Sequence, residues 1–144
     1  GMRFALPILL ALLFASFGFR EAVPDTITFR DLTGKTYALR AEAKTPAVFV
    51  FLSTECPRAN RYTPRIAALE KAYRARGVRF FGVYPNAIET PAGIRKHAAE
   101  RQFTFPLIQD DGTLARTLGA TVTPEFVVVD TAGSLVYRGS MDDS

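Results

Sequence analysis

The apolar run at residues 47–53, AVFVFLS, is the feature of this sequence that most restricts the fold. It lacks the alternation of polar and apolar residues that marks a strand with one face in water. A continuous run of this kind is typical of a strand in the middle of a sheet, with both of its faces covered by other elements. The run therefore indicates a protein with a central sheet covered on both sides.

Strand and helix signals alternate along the rest of the chain. A proline suits the first turn of a helix, so helices are expected to begin at Pro57 and at Pro91, the second one capped by Thr90, and Gly77 should end the first. The predicted elements are a hairpin of 26–29 and 36–39, a helix over 57–76, a strand over 78–84, a helix over 91–101, a strand over 105–108, a helix over 113–118 and a closing hairpin of 126–130 and 135–138. This order predicts an α/β fold with a central mixed sheet, parallel in its middle and antiparallel at one end, and helices on both faces.

Residues 1–22 differ from the remainder of the chain. One positive charge, Arg3, is followed by a mostly apolar run over 4–19, which is the layout of a secretory signal. We interpret this leader as an export signal or a membrane anchor, which places the protein in the bacterial periplasm or on a membrane, and 23–144 as the folded domain. The alternative is that 4–19 is an ordinary buried helix of a cytoplasmic protein.

Charge and motifs exclude some classes of partner. The net charge of +4 comes from basic residues spread along the chain, without a lysine–arginine block or a nucleic-acid-binding motif, so no nucleic acid partner is expected. The sequence also has no glycine-rich phosphate loop and no cluster with metal-ligand spacing. We therefore expect neither a cofactor nor a metal.

The single cysteine, Cys56, lies where the apolar strand gives way to a helix. With Pro57 at the first helical position, Cys56 is the expected N-cap, and its sulfur should lie near the free N–H groups of the first turn. Those groups and the helix dipole favour the thiolate and lower the pKa of a thiol. One cysteine excludes an intrachain disulfide. The alternative interpretation is an inert buried thiol, since cysteine is among the most buried residue types.

Basic residues follow the cysteine on the predicted helix. At 3.6 residues per turn, Arg58, Arg61 and Arg65 fall within about 60° of one another. Their charges should add to the stabilisation of a thiolate, whereas Glu55 opposes it. The alternative is that these arginines form only a solvated helix face.

Several motifs in one order resemble the thioredoxin-fold redoxin group, which includes peroxiredoxins and thiol-disulfide oxidoreductases. Cys56 and Pro64 have the spacing of the first active-site cysteine and the helix-kinking proline of thioredoxins. TPEFVVVD at 123–130 matches the strand that follows the family's cis-proline, and FPLIQDDG at 105–112 resembles the redoxin insertion. The resemblance covers 25–143 and implies a thioredoxin-like sandwich, with a cis bond at Pro124 and a partner groove beside it.

The chain departs from this family at the residue that would resolve a mixed disulfide. Ala59 stands where the second cysteine of a C-x-x-C motif would be, so a second thiol must come from outside the chain. The resemblance implies a thiol-dependent redox protein in which Cys56 attacks a disulfide or a peroxide, with a protein or a small thiol as partner. Ser53 matches the Ser or Thr three residues before a peroxidatic cysteine, but Phe49 stands where peroxiredoxins have proline. The alternative is a non-catalytic thioredoxin-fold module that binds a protein.

Site roles follow from the resemblance. The candidate catalytic residues are Cys56, Ser53, Arg58 and Arg61, and the candidate substrate-binding residues are Pro57, Asn60, Thr123 and Pro124. Tyr62 should line the same surface, and Arg116 is a further candidate for an arginine that orients a peroxide. The copper-delivering relatives of this fold use two cysteines and a distant histidine, so a chain with one cysteine and one histidine, His97, is not expected to act as they do. His97 is instead expected to be a surface or packing residue.

The end of the chain departs from the family as well. Thioredoxin-like domains usually have a helix after the last hairpin, whereas here MDDS follows the last predicted strand. Either the sequence is truncated or another element covers the sheet face left open. The apolar segment 4–19 is a candidate for that role, in the same chain or by exchange in a homodimer.

Overall fold

The computed structural model describes residues 21–24, 27–39 and 45–141. The segment 4–19, with its expected export, anchoring or covering role, lies outside these residues. Within the described part of the chain, no helix has the length and apolarity that crossing a membrane requires.

Eight strands and three helices make up the described structure. The strands are β1 (Glu21–Ala22), β2 (Thr28–Arg30), β3 (Thr36–Ala38), β4 (Ala47–Phe51), β5 (Arg79–Tyr84), β6 (Leu107–Gln109), β7 (Glu125–Val129) and β8 (Ser134–Ser140), and the helices are α1 (Pro57–Arg74), α2 (Pro91–Glu100) and α3 (Thr113–Leu118). Six strands form one sheet in the order β1-β8-β7-β4-β5-β6, and β2 and β3 form the separate predicted hairpin. β4, β5 and β6 are parallel, whereas β7, β8 and β1 join antiparallel, so the predicted mixed sheet is confirmed.

β4 is the central strand, and its two faces contribute to two separate cores. Val48 and Val50 belong to a core formed with α1 and α2, whereas Phe49 and Phe51 belong to a core formed with α3 and the β2–β3 hairpin. This alternation explains why the run at 47–53 has no polar face. The side chains on both faces of β4 are covered by a core. Helices on both faces of the sheet, as predicted, are confirmed.

β6 begins two residues later than the predicted strand over 105–108. Pro106 has no N–H to donate to the ladder, and only its carbonyl takes part, by accepting the N–H of Gly82 at 2.9 Å. Phe105 instead packs in the core against Phe103, with ring centroids 4.8 Å apart. A Cβ on Gly82 would lie 2.8 Å from the Phe105 ring, so glycine is required for this close approach.

The remaining boundaries differ from the predictions by one or two residues. β4 ends at Phe51 rather than at 53, because the chain turns towards Cys56, although the N–H of Leu52 still donates to the carbonyl of Val83 at 2.8 Å. The first helix ends at Arg74, and Gly77 follows it in a left-handed conformation, φ 84°. β7 and β8 cover 125–129 and 134–140. Glu21 and Ala22, inside the range assigned above to the leader, pair with β8.

Pro64 lies inside α1 and leaves one carbonyl of the helix without its usual donor. That carbonyl belongs to Asn60, four residues earlier, and it accepts the hydroxyl of Thr63 at 3.0 Å and Nη1 of Arg101 at 3.5 Å. Substitute donors of this kind keep a buried helix turn satisfied where proline interrupts the ladder.

Candidate active site

Cys56 is the N-cap of α1. Its backbone is extended (φ −78°, ψ 113°), Pro57 occupies the first turn, and Sγ accepts the backbone N–H of Ala59 at 3.4 Å. The side chain is half-buried. The residue that replaces the second cysteine of a C-x-x-C motif thus contributes its main-chain N–H to the sulfur.

Opposing effects determine the pKa of Cys56. Burial of the sulfur by itself raises the pKa, but hydrogen bonds from the Thr123 side chain and from the N–H groups of Ala59 and Arg58 lower it, as does the positive charge of Arg58. Together the lowering effects are larger, and the pKa lies below the ordinary value of a thiol. A half-buried thiol with a lowered pKa has the character of a nucleophile.

The loop before β7 brings a second segment to the sulfur. The peptide bond between Thr123 and Pro124 is cis. The Thr123 carbonyl lies 3.8 Å from Sγ of Cys56, where it accepts a hydrogen bond from the protonated thiol. β4 and β7 are antiparallel neighbours with Phe51 opposite Glu125, so the end of one strand and the start of the other meet at this edge of the sheet.

The model of the AhpC/TSA family matches residues 20–138, most of the described chain. The chain belongs to the AhpC/TSA family. No curated protein sequence matches it.

Solved structures place the AhpC/TSA domain in the thioredoxin-like fold. A hypothetical protein of Sinorhizobium meliloti is 25% identical over 88% of this chain and 73% of that one, with a TM-score of 0.75. An uncharacterized conserved protein of Geobacillus kaustophilus is 23% identical over 85% and 70%, with a TM-score of 0.73. A secreted disulfide oxidoreductase of Mycobacterium tuberculosis, homologous to DsbE of E. coli, is 20% identical over 82% and 85%, with a TM-score of 0.68. The resemblance to the thioredoxin-fold redoxin group is confirmed.

The predicted catalytic residues of this AhpC/TSA site have different surroundings. Ser53 is buried and its Oγ accepts the N–H of Glu55 at 3.3 Å, so it supports the loop before the cysteine. Arg58 is exposed, and its Nη2 donates to the carbonyl of Met141 at 2.8 Å. Arg61 is exposed on the next turn of α1, and the guanidinium of Arg65 lies 5.6 Å from the ring centre of Tyr62. Arg58 is the member of the predicted arginine group whose charge acts on the sulfur.

Two residues expected at the partner surface point into the domain. Tyr62 is buried in the core beneath α1, which corrects the expectation that it lines the groove. The side chain of Asn60 is bonded on both sides: Nδ2 donates to the Thr54 carbonyl at 3.0 Å, and Oδ1 lies 2.6 Å from Nε2 of His97. A side chain one turn after an N-cap can point to the surface or into the domain. For Asn60 the direction follows from α2, which places His97 within hydrogen-bond distance.

A chain of buried and half-buried polar groups lies behind the Cys56 loop, and it was not predicted from the sequence. The Glu89 carboxylate, in a residue 4% exposed, accepts the N–H and the hydroxyl of Thr54 at 2.9 and 2.6 Å. From Thr54 the chain continues through Asn60 to His97, whose Nδ1 lies 2.8 Å from the hydroxyl of Tyr84. We call these five residues the inner network. Thr54 and Glu89 are 35 residues apart, and His97 lies on another helix. Contacts between such distant residues leave no local pattern in the sequence.

The inner network determines the state of His97, which is 5% exposed. Because Nδ2 of Asn60 donates to Thr54, Oδ1 must accept, so Nε2 of His97 carries the proton and Nδ1 accepts from Tyr84. Burial lowers the pKa of His97 and the nearby charge of Arg101 lowers it further, which outweighs the opposite effect of Glu89 and Glu100. A neutral imidazole therefore fills the position. His97 is therefore a packing residue, and the alternative expectation of a surface residue is wrong.

Two further features bear on the chemistry of this edge. Arg116, considered above for orienting a peroxide, is exposed on α3 and lines the cleft that borders Thr123. Within the described residues, no three His, Cys, Asp or Glu side chains are grouped so that they could hold a metal ion.

Proposed function

We propose that this protein catalyses thiol–disulfide exchange with Cys56 as its nucleophile and an external thiol as the resolving group. The observation that carries the proposal is the position of Sγ: half-buried, within hydrogen-bond reach of a helix N-terminus, and facing the Thr123 carbonyl beside a cis-proline. Membership of the AhpC/TSA family and the thioredoxin-like fold support an oxidoreductase in general.

The proposed reaction has two exchange steps. The Cys56 thiolate attacks one sulfur of the substrate disulfide; a new S–S bond forms, the substrate S–S bond breaks, and the second substrate sulfur leaves as a thiolate. An external thiolate then attacks the mixed disulfide, forms a disulfide with the substrate sulfur and releases Cys56 as a thiolate. The lowered pKa of Cys56 serves both steps, since the thiolate is at once the attacking and the leaving group.

Thr123 supports a disulfide as the substrate. Its main chain borders the sulfur at the surface, so an extended segment carrying the attacked cysteine can pair with it. Ser53 would have to orient a peroxide, but it is only 6% exposed, and its Oγ accepts the N–H of Glu55 within the loop. A peroxide is the second candidate substrate, favoured by the charge of Arg58 beside the sulfur. In that reaction Cys56 becomes a sulfenic acid, an alcohol or water leaves with a proton, and an external thiol then condenses with the sulfenic acid and releases water.

The first experiment measures whether the thiol is reactive. The rate of alkylation of the full chain by iodoacetamide is recorded from pH 5 to 10, with a Cys56→Ser variant as the blank. We expect a midpoint below about 8.5, the value of an ordinary cysteine. An unreactive thiol, or a midpoint above that value, would falsify the exchange proposal and leave a non-catalytic binding module.

A second experiment identifies the electrophile. The reduced protein is mixed with a model peptide disulfide or with hydrogen peroxide, and the mass of the product is recorded. A mixed disulfide with the peptide, faster than the same peptide forms with free cysteine at equal pH, supports exchange. If only the peroxide reacts faster than it does with free cysteine, the second candidate replaces the first.

We further propose that the protein is exported. The apolar run at 4–19 after Arg3 supports this location, as does the fold shared with a secreted disulfide oxidoreductase of Mycobacterium tuberculosis. Mass spectrometry of the protein purified from its native host checks it. A mature chain that begins near residue 20, or an intact leader in the membrane fraction, agrees with export or anchoring, whereas an intact leader in the cytosol contradicts both.

A further inference from the structure

A cleft of about 510 Å³ opens beside the reactive sulfur. Its described lining includes Thr123 next to the sulfur, Phe51 at the end of β4, Arg58 and Arg116 on two different helices, and Ala120 on the loop after α3. We call it the arginine cleft. Because Thr123 both borders the cleft and has its carbonyl 3.8 Å from Sγ, a substrate segment that pairs with Thr123 would lie next to this cleft.

The charge of the arginine cleft is positive. Both charged side chains in its described lining are arginines, and no acidic side chain lines it there. Glu125, the acidic residue closest in sequence to Thr123, is buried, and its Oε1 accepts the N–H groups of Thr121 and Val122 at 2.7 and 3.5 Å. Its carboxylate thus satisfies the loop behind the cleft. Glu55, next to the cysteine, is exposed and outside the lining.

The guanidinium of Arg116 lies close to the backbone of Gly112. Gly112 has a φ of 105°, and a Cβ built there would lie 2.6 Å from Nη1 of Arg116. The guanidinium therefore lies directly over this loop, close to the cleft. Asp111 is near it, but the side chain and backbone of Thr113 are the first causes of the lowered pKa of Asp111, with Arg116 a smaller one.

The edge of the cleft adds an apolar contact. Val122 is 45% exposed, one of two large hydrophobic residues so exposed in the described chain. An extended segment paired with Thr123 would meet this isopropyl group and the two guanidinium groups in the same cleft. Carboxylates are the anions that arginine binds best in a peptide, by two parallel hydrogen bonds.

We propose that the partner is a protein segment whose reactive cysteine is flanked by Asp or Glu, with the carboxylate bound in the arginine cleft by Arg116 and Arg58. This inference rests on the proposed exchange function and specifies its substrate class. The anionic side chain raises the local concentration of the disulfide at Sγ and orients it, whereas a lysine at the same place meets two positive charges.

The test uses three peptide disulfides that are identical except for the residue beside the cysteine, which is Glu, Gln or Lys. The rate constant for mixed-disulfide formation with the full chain is measured at low salt and at 0.5 M salt. We expect Glu to exceed Lys by about fivefold at low salt, the size of a surface charge effect, and the difference to shrink at high salt. In Arg116→Gln the difference should fall by about half, and Arg116→Lys should restore most of it.

The matched control is Arg95→Gln, which removes an exposed arginine on α2 outside the cleft lining. It should leave the order of the three peptides as in the parent protein. Equal rates for all three peptides, or an equal loss of the charge preference in both variants, would overturn the inference. Glutathione disulfide as fast as the Glu peptide would also overturn it, because the site would then recognise the carboxylates of a small disulfide.

Failure of the inference and failure of the exchange function give different results. If the Gln peptide and iodoacetamide both react with Cys56 but the peptides show no charge order, only the substrate class is wrong. If neither reacts faster than with free cysteine, the exchange function itself is wrong.

Discussion

The two sides of the Cys56 loop differ in how they use polar groups. On the outer side, Sγ faces the carbonyl of Thr123, a residue that borders the arginine cleft, and the charged side chains of the cleft are exposed. On the inner side, the same loop is bound through Thr54 to Glu89 and through Asn60 to His97, all by hydrogen bonds under 3.1 Å.

The two sides of the loop should differ in their effect on stability because the outer side is in contact with water and the inner side is largely buried. Water screens exposed charges, so the outer arginines can tune reactivity and partner choice with little effect on stability. Buried polar groups lose their water, so breaking one bond of the inner network leaves its partner unsatisfied and costs stability. The outer side is therefore expected to determine what Cys56 reacts with, and the inner side to determine where Cys56 is held. Four predictions test this separation.

Cys56→Ser should give the largest functional effect, the complete loss of exchange and of alkylation. Stability should change little, because serine is a favoured N-cap and its hydroxyl can accept the N–H of Ala59 in place of the sulfur. Urea unfolding of the variant and the parent checks the second part. A strong loss of stability would show that the sulfur is a structural group and would contradict the assignment of Cys56 to the outer side.

His97→Ala should give the largest effect on stability. It leaves Oδ1 of Asn60 and the hydroxyl of Tyr84 without their partner and opens a cavity, and together these cost about 2–4 kcal/mol. Urea unfolding measures the loss, and His97→Gln, which keeps a donor for Asn60, is the conservative control. A variant as stable as the parent would mean that the inner network does not hold the loop.

The pH dependence of stability should reveal the same histidine. The pKa of His97 is lowered in the folded state, so between that value and about 6.5, the pKa of a free histidine, the unfolded chain binds the extra proton. The stability associated with a neutral His97 is fully present above pH 6.5, and it is lost as the pH falls through the pKa of His97 in the folded state. Urea midpoints at pH 7.5 and 5.5 should fall more for the parent than for His97→Gln. Equal slopes would assign the effect to titratable groups other than His97.

Arg58→Gln should give the smallest effect of the four, a shift of the alkylation midpoint of Cys56 to higher pH with nearly unchanged stability. The charge of Arg58 is the last of the causes that lower the pKa of the thiol, after three hydrogen bonds, and the side chain is exposed. High salt should reduce the shift. A shift that persists in high salt would indicate that Arg58 acts by arranging the loop.

Local sequence signals were sufficient to predict where the two longer helices begin. The helix over 91–101 was predicted from Thr90 and Pro91, and the cap is present, with Oγ1 of Thr90 accepting the N–H of Gly93 at 3.0 Å. The N-cap position of Cys56 was predicted from Pro57 in the same way. Both signals act within one helical turn, and nothing more distant is needed to produce them. The start of β6 differs from the prediction because Phe105 and Pro106 are apolar and so favour a strand by composition. In the structure Phe105 packs in the core, and Pro106 has no N–H to donate to the ladder.

The sequence alone determined the layers of the fold and the chemical character of its edge: a doubly covered strand, helices that begin at proline, and a cysteine at a helix N-terminus. These follow from bonds and periodicities that span a few residues. The tertiary structure alone decided which polar groups meet there: Glu89 with Thr54, His97 with Asn60, and Arg116 beside Thr123. Such pairs join distant parts of the chain, and their geometry depends on how the helices pack over the sheet, for which no short pattern of residues contains the information.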